Sequence, residues 1–141
     1  MIILDTNVVS ELMKAAPDER VAAWLQRQQT LHLAITTVTI GEIQYGIRLL
    51  PRGKRRDGLE KDFAAFVARG FEGRLLAYDE PAAVAYGDIA AQRRKKGYEI
   101  DAVDLMIAAM AKIANASVAT RNTKDFVGCG LKLIDPWQSN S

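Results

Sequence analysis

Four positions in this 141-residue chain carry oxygen-bearing side chains suited to gathering around a cation: Asp5, Glu42, Asp104 and Asn122. Asp5 closes a short apolar run, Ile2-Ile3-Leu4, and the other three fall at the start of predicted helices or just past a predicted strand. At an effective dielectric of about 20, two carboxylates roughly 4 Å apart repel by about 4 kcal/mol. Acids collected on one edge of a sheet therefore call for a positive charge between them. A divalent cation, Mg²⁺ or Mn²⁺, removes the repulsion, polarises a phosphoryl oxygen and lowers the pKa of a coordinated water. The chemistry indicated is metal-dependent phosphodiester hydrolysis, which needs no histidine, cysteine or serine nucleophile. The single histidine, His32, is expected inside a strand with no catalytic role.

The elements that position these residues can be read from apolar patterning. Residues 2–4 form a short run suited to a buried parallel strand. A helix is expected over 7–14, and a second opens at Asp18-Glu19 with Val21, Trp24, Leu25 and Gln28 on one face. Residues 31–35 read as a strand. Thr36, Thr37 and Thr39 offer N-caps for a helix carrying Ile40, Ile43, Ile47 and Leu50 at three- and four-residue spacing. Pro51, Gly53 and Gly58 mark a loop bearing Arg52, Lys54, Arg55 and Arg56, a candidate RNA contact. A helical stripe of Leu59, Phe63, Phe66 and Val67 stops at Gly70. A strand over 74–78 precedes a strong helix start at Asp79-Glu80-Pro81, and that helix ends in a basic turn before Gly97. From Asp101 comes a helix apolar nearly all round, then strands at 117–120 and 131–134 separated by a polar turn. Strands alternating with helices predict a parallel sheet covered on both faces, an α/β fold. In such sheets the functional crevice lies beyond the carboxyl ends of the strands, and all four candidates map to that rim.

Simpler roles exist for each residue alone. Asp5 suits a helix cap, Glu42 stands three residues after Thr39 in a capping-box pattern, and Asp104 stands three after Asp101. A capping account requires three coincidences on one edge. The basic run at Arg93, Arg94, Lys95 and Lys96 complements a helix C-terminus. Trp24 and Tyr45 read as core or partner-facing residues.

The bulk numbers set bounds. The length fits one domain, 1–141, and 49% hydrophobic with 26% charged residues is ordinary for a globular protein. The net charge of +2 favours no partner class by itself. One cysteine, Cys129, excludes an internal disulfide and fits a cytoplasmic setting. The first residues lack the pattern of a signal peptide or membrane span. The final polar residues are expected to fray.

Taken together, Leu4-Asp5-Thr6-Asn7-Val8-Val9-Ser10, Thr39-Ile40-Gly41-Glu42-Ile43, Asp79-Glu80-Pro81, Asp104-Leu105-Met106-Ile107-Ala108-Ala109 and Thr120-Arg121-Asn122 resemble the motifs of PIN-domain ribonucleases, specifically VapC toxins and the similar FitB proteins. The resemblance implies a PIN fold, a central parallel sheet flanked by helices, and Mg²⁺- or Mn²⁺-dependent cleavage of RNA. By position, Asp5, Glu42 and Asp104 match the family acids that hold metal, and Thr6 and Thr120 match positions that support them. The fourth family position is frequently Asp; here it is Asn122, which removes one negative charge and leaves the number of metals open. Asp125 stands three residues further on. The resemblance also implies a VapB-type antitoxin partner, a homodimer, and promoter DNA bound only through the antitoxin.

Two other classes of function remain open on the sequence. One is a catalytically weak PIN-like module acting through antitoxin binding and promoter regulation, motivated by Asn122. The other is a phosphatase built on the first-strand Asp, disfavoured because Asn7 stands where a second Asp is wanted.

Overall fold

A computed structural model describes residues 1–138, so the terminal segment expected to fray lies outside the described residues. Five parallel strands build the sheet: β1 (Ile2–Leu4), β2 (Leu33–Thr36), β3 (Leu75–Leu76), β4 (Ser117–Ala119) and β5 (Leu133–Ile134), in the order β3-β2-β1-β4-β5. The first strand is central, with Ile3 opposite Ala34 on one side and Val118 on the other. Six helices connect and cover these strands: α1 (Thr6–Leu12), α2 (Glu19–Gln26), α3 (Thr37–Arg48), α4 (Lys54–Gly70), α5 (Glu80–Lys95) and α6 (Ala102–Ala114).

Alternate strand residues face opposite sides of the sheet, and two apolar cores follow. Ile3, Ala34 and Val118 pack with Ile107, Met110 and Phe126 under α5 and α6. Leu4, Leu33 and Ile35 pack with Val8, Trp24 and Phe63 under the first four helices. The near-continuous apolar run of α6 is explained by burial of Leu105, Ile107, Ala108, Ala109, Met110 and Ala111. Cys129 is buried, and no helix among the described residues is long and apolar enough to cross a membrane.

Several local expectations are corrected. The strand expected at 31–35 begins at Leu33, because residues Thr30–His32 form a 3₁₀ turn. His32 therefore lies in an exposed turn, not in the sheet. Helix α2 ends at Gln26, and Gln28 lies beyond it, donating from Nε2 to the Trp24 carbonyl at 3.1 Å. Trp24 is core, whereas Tyr45 is 67% exposed. The basic loop is shorter than expected, because only Pro51, Arg52 and Gly53 of that segment lie outside a helix. Helix α4 starts at Lys54 and runs through Gly58, carried by the Leu59, Phe63, Phe66 and Val67 stripe that packs on the second core.

The basic end of α5 is also more than a complement to the helix dipole. Lys95 and its neighbours are exposed, but Arg93 is only 4% exposed. Its guanidinium lies 4.7 Å from the Tyr98 ring centroid and donates to the carbonyls of Val127 and, at 3.2 Å, Glu99. Those carbonyls belong to the segment that leads into α6 and the segment that leaves the 3₁₀ turn Thr123–Phe126. One side chain thus ties both to the end of α5. Replacing Arg93 by Met keeps the stem and removes the donor from two part-buried carbonyls of exposed residues, so Arg93→Met should reduce stability by about 1 kcal/mol, the net scale of hydrogen bonds whose acceptors water can still reach. Urea unfolding measures this, and an unchanged midpoint would show that the clamp carries no weight.

Candidate active site

The sheet order brings the candidate residues to one edge. β1 ends at Leu4, and the Asp5 N–H continues the pairing by donating to the Ala119 carbonyl at 2.9 Å. Asp5 is thereby fixed beside Thr120, which follows β4. Neighbouring β2 ends at Thr36, the N-cap of α3, whose side chain accepts from the Thr39 N–H at 3.1 Å. Thr39 is therefore not the cap, and Glu42 belongs to no capping box. It sits in the second turn of α3. Asp104 lies in the first turn of α6, where its N–H is capped by Asp101 at 3.0 Å.

Asp5 is 3% exposed. One carboxylate oxygen accepts from the Thr6 N–H at 2.8 Å; the other accepts from Thr120 Oγ1 at 2.8 Å and Asn7 Nδ2 at 3.2 Å. An ionised carboxylate has about four acceptor positions, so this one keeps spare capacity. Thr120 Oγ1, having donated to Asp5, accepts from the Asn122 N–H at 3.1 Å and lies 3.3 Å from Asn7 Nδ2. Asn7 Oδ1 in turn accepts from the Arg121 N–H at 3.2 Å. Asn122 is exposed and joins this network through its backbone, not its amide.

Glu42 is held by a second chain of hydroxyls. Thr6 Oγ1 donates to Glu42 Oε1, and Thr6 and Thr39 hydroxyls lie 3.0 Å apart. Each hydroxyl has one proton to give. Since Thr6 gives its proton to Glu42, Thr39 must donate to Thr6, and Thr36 donates to Thr39 across 3.5 Å. The order Thr36 to Thr39 to Thr6 to Glu42 fixes one direction for every proton, and such chains polarise cooperatively. Thr36 and Thr39 are completely buried.

Asp104 differs from both. Among the described residues nothing donates to its carboxylate, and burial with the charges of Asp101, Asp5, Asp125 and Glu42 pushes its pKa up to about 7. Burial likewise raises Asp5, against which its hydrogen bonds with Thr120 and Thr6 act in the opposite direction, and the charge of Glu42 adds to the rise. Asp5, Glu42 and Asp104 are therefore close enough to feel one another. Even so, among the described residues no three His, Cys, Asp or Glu side chains are drawn together as a finished metal site. The donor set is oxygen only, the type that hard divalent cations take.

The structure thus brings Asp5, Glu42, Asp104, Thr6 and Thr120 to one rim and leaves the Asn122 side chain outside the hydrogen-bonded network. Sequence reasoning misses Asn7 and the Thr36–Thr39 pair as parts of the site. The Asp-x-Asn spacing at 5 and 7 is the available signal for the first. The threonines are masked by the capping role that their position suggests. Asp125, which the motifs leave aside, contributes to the field on Asp104.

Known proteins resemble this chain over most or all of its length. A family model described as PIN domain matches residues 2–127. The VapC ribonuclease Y4jK of Sinorhizobium fredii is 40% identical, over 98% of this chain and 99% of its own length. Toxin FitB of Neisseria gonorrhoeae is 38% identical, over 97% of this chain and 99% of its own. A solved structure of FitAB bound to an IR36 DNA fragment superposes with a TM-score of 0.92 at 38% identity, covering 98% of this chain and 96% of that one. With its parallel sheet, the acids at the carboxyl edge and these whole-length likenesses, the chain belongs to the PIN-domain family.

Proposed function

We propose that the protein is an endoribonuclease toxin that hydrolyses RNA phosphodiester bonds with a divalent cation. The observation that carries this reading is Asp104, half-buried with no donor of its own, in the field of four other carboxylates at the edge where β1 and α6 meet. Such a group is costly to keep ionised unless a cation is supplied. The oxygen-only donor set and the unused acceptor capacity of Asp5 fit Mg²⁺ or Mn²⁺. Asp5 and Asp104 would hold the ion, with Glu42 next. When bound there, the ion would polarise the phosphodiester and acidify the attacking water. Thr120 and Asn7 hold Asp5 in one orientation, the threonine chain does the same for Glu42, and Asp104 is the carboxylate left without a donor and free to turn towards the ion. The names of the relatives, ribonuclease and toxin, support the same activity. The FitAB–DNA structure supports an antitoxin partner that carries the complex to DNA, and the proposal includes a homodimeric toxin.

A second reading has an observation of its own. Asn122 supplies no charge, and among the described residues no three acids are gathered in advance. A module acting mainly through antitoxin binding and promoter regulation would show those features. Calorimetry separates the two: antitoxin-free protein that is folded yet takes up no Mn²⁺ supports the module.

For the nuclease, total bacterial RNA incubated with Mn²⁺ should yield a few discrete products. Asp5→Asn and Asp104→Asn should each reduce the rate at least about a hundredfold, because each removes a charged ligand of the ion and losing a group that merely orients a ligand already costs about 10- to 100-fold. Full activity in either variant would remove the assigned chemistry. Thr120→Val, which keeps the shape but not the hydroxyl, should cost about 10- to 100-fold in Mn²⁺ affinity or rate, the usual range for groups that orient a ligand.

Asp104 also sets a pH dependence. Its folded pKa, about 7, lies above the ordinary value of 3.8, so the folded state holds a proton that the unfolded state has already released between those limits. Stability in EDTA should therefore be greatest below about pH 4 as far as this group is concerned, and fall as pH rises towards 7. In thermal melts, Asp104→Asn should remove that slope and Mn²⁺ should counter it in the parent protein. A parent and variant with parallel pH profiles would show that the rim carries no such strain.

A further inference from the structure

A groove of about 250 Å³ opens at Thr6 and Glu42 and runs past Ile43, Ile47 and Leu50 to Leu59. It follows α3 away from the acids: from Glu42 to Arg48 the helix rises about 9 Å. At its far end α3 gives way to α4, and five cations lie within nine residues, Arg48, Arg52, Lys54, Arg55 and Arg56. One carboxylate, Glu60, serves two of them, at 3.0 Å from Arg48 Nε and 3.8 Å from Arg56 Nε. Arg52, Lys54 and Arg55 are exposed, and among the described residues no carboxylate lies within ion-pair distance of them.

Their placement works against the fold. Lys54 and Arg55 occupy the first turn of a 17-residue helix whose N-cap, Gly53, supplies no side-chain cap. Cations at a helix N-terminus oppose its dipole, where Asp or Glu would be favoured. Asp57 is the one acid in that turn, so Lys54 and Arg55 leave its balance cationic. The acids at one end of the groove repel a polyanion unless a cation screens them, so its electrostatic attraction must come from elsewhere. The apolar walls suit bases, and the cations at the far end suit phosphates.

We propose that Arg52, Lys54 and Arg55 grip backbone phosphates of single-stranded RNA lying along this groove, outside the bond that is cut. The inference rests on the nuclease reading for its substrate, but it concerns binding and not cleavage. The interaction is with phosphate, so it is indifferent to sequence and sensitive to salt.

The test is fluorescence anisotropy of a labelled single-stranded oligoribonucleotide in EDTA, over a range of salt, with wild type and Lys54→Gln/Arg55→Gln. Removing one cation–phosphate pair should lessen the slope of log affinity against log salt by about 0.7. The double variant should bind more weakly at low salt. Between 50 and 200 mM salt, affinity should fall about sevenfold further for wild type than for the variant. The melting temperature of the variant should be equal or higher, because the removed charges oppose the helix dipole. The swap Lys54→Arg/Arg55→Lys should keep the wild-type slope. Equal slopes and affinities for wild type and double variant, or no RNA binding by wild type, would overturn the proposal. So would a fall in melting temperature that accompanies weakened binding and recurs in the charge-keeping swap, which would make these residues structural. Unchanged RNA binding together with abolished binding of a poly-glutamate peptide would assign the surface to an acidic protein partner instead. Cleavage with Mn²⁺, measured separately, decides the nuclease reading whatever the slopes show.

Discussion

A carboxylate removed almost wholly from water has to be given hydrogen bonds or a counter-charge, and Asp5 at the end of the central strand is such a group. Its three donors come from the residue after it, from Asn7 on the first turn of α1, and from Thr120 beyond β4. The arrangement exists only if β1 and β4 are adjacent and in register. Ile2 opposite Ser117 and Leu4 opposite Ala119 supply that register. The sheet order is thus tied to the chemistry of one side chain. A one-residue slip would turn Val118 out of its core and leave Asp5 buried without its principal donor.

The rest of the rim divides into groups that are held and one that is not. Asp5 and Glu42 each rest on a threonine hydroxyl that is itself held by further hydrogen bonds. Asp104 rests on nothing but its helix. That helix is pressed between sheet and α5 by small and branched apolar residues, so Asp104 cannot withdraw from its neighbours by shifting the backbone. With the backbone fixed by apolar packing, the electrostatic cost is relieved by a proton or a cation and not by movement of the helix, a common feature of sites arranged for function.

Much of this is legible in the residues. Asp5, Glu42 and Asp104 can be assigned to one edge because a parallel sheet sends every strand the same way, so positions just past strands or opening the next helices share a rim. The stripe in α3 and the apolar length of α6 are equally plain. What escapes is set by partners distant in sequence. Whether Thr39 caps α3 or passes a proton towards Glu42 depends on Thr6, 33 residues away. Arg93 reads as a helix-end cation until Glu99 and Val127 are seen folding back on it. His32 and the start of α4 differ from expectation for another reason. Local turn chemistry overrides the strand pattern at Thr30–His32, and the apolar stripe that anchors α4 extends the helix back through Gly58 to Lys54.

The bond from Thr120 to Asp5 joins residues 115 positions apart. During synthesis the amino-terminal strand and α3, with Asp5 and Glu42, leave the ribosome long before α6 and β4. Until β4 adds to the edge of β1, Asp5 lacks its threonine and Asp104 has no place on the rim. A chain made only as far as α5 therefore carries Asp5 and Glu42 but no assembled rim. The rim can assemble only after β4 has been made, whatever the order in which the earlier elements fold.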